Sequence, residues 1–330
     1  MKNNKHIYLF VLLICLLTLI GSINAQNNTD SRSKDTIELY NKELSVKISV
    51  KGAEIISLFN KKDKIEYIWQ GNYDSWASHS PVLFPFVGKI KGGYYKVDGK
   101  KYKMKLHGFA SHSMFKVVEH TPSKAVLQLE SNSSTLKIYP FKFRLIISYI
   151  LEGEKLKVVN TVENIDTREI YFSIGAHPGF NVPIASNGQF EDYIIEFDTN
   201  EVVDRIILTK TKGLPTDSLQ HNYLKSGSIL PLDHKLFKNR VIILKGVKSE
   251  SLMIRKKDSK SGIKIIGIDK FPYLGIWTYV KKEEPFICIE PWYGISDYVN
   301  SNGEIKEKTG IQSLAPNERF MMRYSIEIIN

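Results

Sequence analysis

The amino-acid sequence predicts an all-β protein, one large antiparallel β-sandwich, on three observations. Apolar residues recur with period two through most of the chain, turn-forming residues interrupt them every 8 to 12 positions, and almost no segment holds helical spacing for three turns. The composition agrees. Of 330 residues, 42% are hydrophobic and 11% aromatic, which suffices for a substantial core and excludes disorder over most of the length.

The first 25 residues read differently from the rest. Lys2 and Lys5 precede an apolar run at residues 7–20, and Ile23-Asn24-Ala25 offers a small residue for cleavage. This is the grammar of a signal peptide, predicted over 1–25, and it implies an exported product, periplasmic or secreted. The run is 14 residues long, short of the ~20 that cross a bilayer. No stable membrane span is therefore expected after leader cleavage. Ile14 before Cys15 does not suit a lipoprotein signal, which wants a small residue there. Residues 26–36 are polar and predict a flexible lead-in. One β domain is expected over 37–330, with no internal repeat or linker.

Within that domain Leu44, Val46, Ile48 and Val50 alternate with Ser45, Lys47 and Ser49, the pattern of a half-buried strand. Asp98-Gly99 between Tyr95-Lys96-Val97 and Tyr102 signals a hairpin. Thr121-Pro122-Ser123 separates strands at 115–119 and 125–129, and Glu152-Gly153 separates strands at 143–151 and 156–162. Further strands are predicted at 170–176, 193–197, 241–244, 252–255, 263–268, 274–280, 286–289 and 320–328.

The formal charge of +11 falls to +9 when Lys2 and Lys5 leave with the leader. The lysines are dispersed among acids and aromatics. They predict a solvated surface rather than a nucleic-acid stripe, and no nucleic-acid partner is expected. The mature chain keeps Cys288 alone, so no internal disulfide is possible. The eight histidines lack ligand spacing, so no metal centre is expected.

Three places share one pattern: an apolar strand ends in a titratable side chain and a turn follows at once. They are Leu106-His107-Gly108-Phe109, Gly175-Ala176-His177-Pro178-Gly179-Phe180 and Cys288-Ile289-Glu290-Pro291-Trp292-Tyr293-Gly294. Alternation sets His177 and Glu290 opposite the most apolar side of their strands. Proline cannot continue a central ladder, so each strand is expected to stop or bulge there and leave its side chain at a rim. Taken singly, His107 reads as a structural histidine, Glu290 as a surface carboxylate, and Trp292 and Tyr293 as core. The repetition is what points to chemistry.

Those phrases, with Ser80-Pro81-Val82-Leu83-Phe84-Pro85, resemble signatures of the aldose 1-epimerase (galactose mutarotase-like) family, in order from about residue 37 to the end. The resemblance implies a galactose mutarotase-like supersandwich that interconverts sugar anomers without a cofactor. It implies Glu290 as general base on the anomeric hydroxyl, His177 as general acid on the ring oxygen, and His107 as a sugar-orienting residue. Carboxylate and imidazole suit a proton exchange near neutral pH. Trp292, Tyr293 and Phe180 are expected to offer flat faces to a free monosaccharide of the glucose or galactose type. Lys89 stands where relatives often carry arginine, as does Ser111, and a single mobile donor replaces a planar fork. Asp233 is offered for the family's additional substrate-binding aspartate.

Two other readings stay open. A hexose-phosphate 1-epimerase would draw phosphate contacts from Lys89 or Lys91, although the leader points away from cytosolic sugar phosphates. A non-catalytic carbohydrate-binding sandwich would not require both His177 and Glu290. A glycoside hydrolase needs two flanking carboxyl groups, and one convincing candidate is present.

Overall fold

A computed structural model of the chain describes residues 35–185, 188–238 and 241–330. The predicted leader and nearly all of the lead-in lie outside them; the first described strand, Thr36–Tyr40, begins at the lead-in's last residue. Residues Glu38–Asn330 form one compact unit. Among the described residues no helix is long and apolar enough to cross a membrane.

Two large antiparallel sheets dominate. The nine-stranded sheet runs in the order Ile229–Pro231, Tyr193–Phe197, Ser251–Lys256, Gly262–Ile266, Arg319–Ile329, Lys155–Asn164, Phe143–Glu152, Lys124–Glu130, Lys116–Thr121. Its central strands alternate as the sequence predicts: Leu145, Ile147, Tyr149 and Leu151 are buried, while the residues between them are half-exposed. Each such side chain taken from water contributes about 1.5–3 kcal/mol, and the strict period holds the register. The Asp98-Gly99 hairpin also forms, with φ of +49° and +78° at its two turn residues, the backbone that suits a two-residue turn.

The eight-stranded sheet carries Pro215–Gln220, Asp204–Leu208, Ile242–Lys245, Tyr273–Trp277, Phe286–Tyr293, Ile174–Ala176 and Val82–Leu83 in that order, with Gly179–Asn181 paired separately to Phe286–Tyr293. Seven of the eight residues of Phe286–Tyr293 are buried, so this strand is covered on both faces.

Two expectations about strands need correction. The segment 170–176 is not one strand. Ile170–Phe172 pairs with Gln312–Leu314, and after a break at Ser173, whose N–H donates to Pro85 O at 2.8 Å, Ile174–Ala176 enters the eight-stranded sheet. Nor does the strand at 286–289 stop at proline: it continues through Glu290-Pro291 to Tyr293. The reason lies in what stands beside it.

Candidate active site

The strand beside Phe286–Tyr293 is interrupted. Gly175 pairs with Trp292 on one side of the gap and Gly179 with Cys288 on the other, in one unbroken register. His177 and Pro178 therefore fall opposite Glu290 and Ile289. Ile289 sends its N–H to Pro178 O at 3.2 Å. By period two, the N–H that Pro291 lacks would point to the same side, where the pairing with Ile174–Ala176 has already ended at Trp292. Proline is tolerated in the middle of the sheet because no ladder bond is required of it there. His177 and Glu290 thus sit at a gap inside a sheet and not at a rim, 7% and 1% exposed.

Paired residues share a face, so His177, Cys288, Glu290 and Trp292 look the same way, joined by Gly275 and Trp277 from the strand on the other side. Three glycines make room for the tryptophans. A Cβ on Gly175 or Gly275 would stand 2.6 Å from the Trp292 ring, and one on Gly179 2.6 Å from that of Trp76.

His177 Nε2 is 3.1 Å from Glu290 Oε2, yet Oε2 makes no aligned hydrogen bond, and His177 Nδ1 has no partner among the described residues. Trp76 lies over the His177 ring at 5.0 Å and 30°, while Trp277 meets it edge-on at 5.6 Å. Burial pushes the Glu290 carboxyl well above the usual carboxylate range, and the nearby Trp292 indole offsets part of the shift. Burial, and then neighbouring His107, push His177 well below the usual imidazole value. Both directions favour the uncharged forms, a protonated carboxyl beside a neutral imidazole.

His107 reaches the site from another loop. Phe84 O accepts from the N–H groups of Phe109 and Ala110 at 3.0 and 3.1 Å, and a Cβ on Gly108 would come within 2.3 Å of that oxygen. The Leu-His-Gly-Phe and Ser-Pro-Val-Leu-Phe-Pro phrases are thereby locked together. His107 adopts φ +62°, donates its backbone N–H to Gly88 O, and accepts Gly88 N–H at Nδ1, both at 3.1 Å. Burial lowers its pKa to about 4, so near neutral pH its one ring proton is on Nε2. Its ring stands edge-on to His177 at 5.7 Å.

These groups open on a cavity of about 580 Å³. Trp76, Trp277 and Trp292 supply flat apolar walls; Lys89, Ser111 and Ser296 supply polar ones. Lys89 is held at its backbone by Ser296 Oγ, and its Nζ donates to Lys212 O at 3.3 Å.

Of the predicted site residues, Glu290, His177, His107, Lys89 and Trp292 converge on this cavity. Three do not. Tyr293 is one position out of phase with Trp292 and points through the sheet, its hydroxyl donating to Lys270 O at 2.7 Å and its ring against Phe271 and Phe320. Phe180, paired with Ile287, is fully buried on that same opposite face. Asp233 caps a short 3₁₀ turn, His234–Phe237, by accepting Lys235 N–H at 2.8 Å, and lines a separate cleft with Glu191 and Lys238. Trp277 was missed although its alternation with Ile276 was readable; Trp76 lies in a segment with no periodic signal.

The family model for aldose 1-epimerase matches residues 35–325. Two Lactococcus lactis proteins, the plasmid and chromosomal forms of Protein LacX, are 30% identical over 302 residues, covering 89% of this chain and all of theirs. A galactose mutarotase related enzyme from Lactobacillus acidophilus superposes with a TM-score of 0.84 at 30% identity, covering 89% of this chain and 97% of that one. A galactose mutarotase-like protein from Lactobacillus casei gives 0.83 at 30% identity, covering 89% and 99%.

Proposed function

Since the chain belongs to the aldose 1-epimerase family, we propose that it is a mutarotase interconverting the α and β anomers of a free aldohexose, of the glucose or galactose type, at the His177–Glu290 pair. The observation that carries this reading is the 3.1 Å approach of an imidazole nitrogen and a carboxylate oxygen on the floor of a tryptophan-walled cavity.

Opening a hemiacetal ring removes one proton from the anomeric hydroxyl and delivers one to the ring oxygen. Both oxygens are bonded to the anomeric carbon, so two protein groups side by side can serve both. In this reading Glu290 takes the hydroxyl proton and His177 protonates the ring oxygen. The open aldehyde turns about its bond to C2, and the same two groups, with roles reversed, close the ring on the other face. The pair needs no proton from water to begin. Carboxylic acid with imidazole, and carboxylate with imidazolium, contain the same number of protons and differ by one transfer across the contact. The conversion is redox-neutral and calls on no cofactor.

His107, with its proton on Nε2, is a neutral donor for a sugar oxygen, and Lys89 is a cationic one. Trp292, Trp76 and Trp277 offer faces to the sugar's C–H surface.

Polarimetry on freshly dissolved α-glucose and α-galactose tests the proposal. Glu290→Gln and His177→Asn keep shape while removing the base or the acid. Each should cut kcat by at least about a hundredfold, within the usual worth of general acid–base catalysis. The double variant should be little worse than the poorer single one, because the two act on one exchange. Near-wild-type mutarotation by a folded Glu290→Gln protein would overturn the assignment.

A further inference from the structure

One neighbour of the pair takes no part in that proton exchange. Cys288 precedes Glu290 by two residues on the same strand, so its thiol lies on the face that carries the carboxylate, with His177 across the gap. Donor atoms of His177, Cys288 and Glu290 all lie within 4.8 Å of one another. All three residues are buried, at 7%, 0% and 1% exposure. Within this cluster Glu290 Oε2, 3.1 Å from His177 Nε2, is a buried polar atom with no hydrogen-bond partner among the described residues.

We propose that His177, Cys288 and Glu290 form a binding site for a thiophilic divalent cation such as Zn²⁺, and that its occupation switches the acid–base pair off. Imidazole, thiolate and carboxylate are the donor set of a borderline-soft ion; binding displaces the thiol and carboxyl protons to solvent, and the two resulting anionic ligands neutralise the divalent charge. The sulfur discriminates against Mg²⁺ and Ca²⁺, which prefer oxygen. Ligand atoms about 2.0–2.3 Å from a tetrahedral zinc stand roughly 3–4 Å apart, so closing the set around an ion takes side-chain movement of about 1 Å. His177 and Glu290 line the cavity, from which a fourth ligand can reach the ion. Metal and sugar then compete, since the ion ties up the carboxylate oxygen and imidazole nitrogen that would shift the protons. Metal binding itself does not depend on the proposed reaction; only its effect on activity does.

Spectroscopy with cobalt tests the site without reference to catalysis. Protein stripped with a chelator and titrated with Co²⁺ should develop a near-ultraviolet thiolate-to-cobalt band that Zn²⁺ abolishes. Cys288→Ser should lose the band, which also separates this thiol from that of Cys15 in uncleaved chain. Should that variant fold poorly, Glu290→Gln provides a second arm: it leaves the thiol in place and should weaken cobalt binding. In the polarimetric assay the chelated enzyme should be fully active, and micromolar Zn²⁺ should inhibit it competitively with the sugar. Relative to its own metal-free rate, Cys288→Ser should need at least about 10-fold more Zn²⁺, since changing even an outer-shell partner costs roughly 10–100-fold in metal affinity and this change removes a ligand. A wild-type protein with no thiolate band, equal zinc sensitivity in Cys288→Ser, or activity that falls on chelation and returns with metal would each overturn the proposal. A normal cobalt band on a protein without mutarotase activity would leave the metal site standing and remove the function proposed above.

Discussion

At the floor of the cavity, the surroundings of Glu290 and His177 matter more than their chemical type. A carboxyl group pushed up and an imidazole pushed down by burial both favour their uncharged forms, whereas a solvated carboxyl would be ionised at neutral pH. His107 is neutral for the same reason, and the N–H of Gly88 decides which nitrogen keeps its proton. Lys89 differs, being half-exposed and anchored through its backbone to Ser296 Oγ. A contact of this kind, away from the reacting atoms, adds uniform binding. Lys89→Ala should therefore raise KM more than it lowers kcat; steady-state kinetics showing a large fall in kcat at unchanged KM would instead place the ammonium at the reacting centre. Glu290 and His177 stood out in the sequence because each stands before a proline at the end of an apolar run, whereas the roles proposed for them rest on the family resemblance. The error over Tyr293 was also legible in principle: Trp292 is two residues past Glu290 and shares its face, whereas Tyr293 is three past and cannot.

Among the elements, the site is made by an interruption rather than by an addition. One strand breaks at His177-Pro178, its neighbour runs on through Glu290-Pro291, and the gap lets two titratable side chains meet inside a sheet. The neighbouring glycines are part of that device. Gly275 lies opposite Glu290, and a methyl group there would come within 2.6 Å of the Trp292 ring, which Gly175 hems in from the other side. Gly275→Ala should destabilise the protein by about 1–3 kcal/mol, the usual cost of overpacking a filled interior, and should lower mutarotation by displacing Trp292. Thermal unfolding and tryptophan fluorescence measure both; an unchanged Tm with full activity would show that the ring has room to retreat. The sequence signalled proline as a strand terminator, which was right for Pro178 and wrong for Pro291. A missing N–H matters only where a partner strand waits for it, and the pairing of neighbours is not written in either strand alone.

For the whole molecule, the two large antiparallel sheets and the family match over residues 35–325 agree with an all-β chain that buries its core through period-two strands. We propose that this domain is exported, on the strength of Lys2, Lys5 and the apolar run at 7–20. N-terminal sequencing of the mature protein should begin near Gln26; intact Met1 on cytoplasmic protein would count against export. By itself the sequence determined the all-β class, most strand positions, the principal hairpins and the two residues now placed at the centre of the site. These are local properties, since alternation, turn chemistry and proline act within a few residues. Only the tertiary structure decided that 170–176 divides between two sheets, that Pro291 sits beside a gap, that Trp76 and Trp277 wall the cavity, and that Cys288 joins His177 and Glu290. Each of these depends on which strands become neighbours, and that choice is made by the joint burial of apolar faces far apart along the chain.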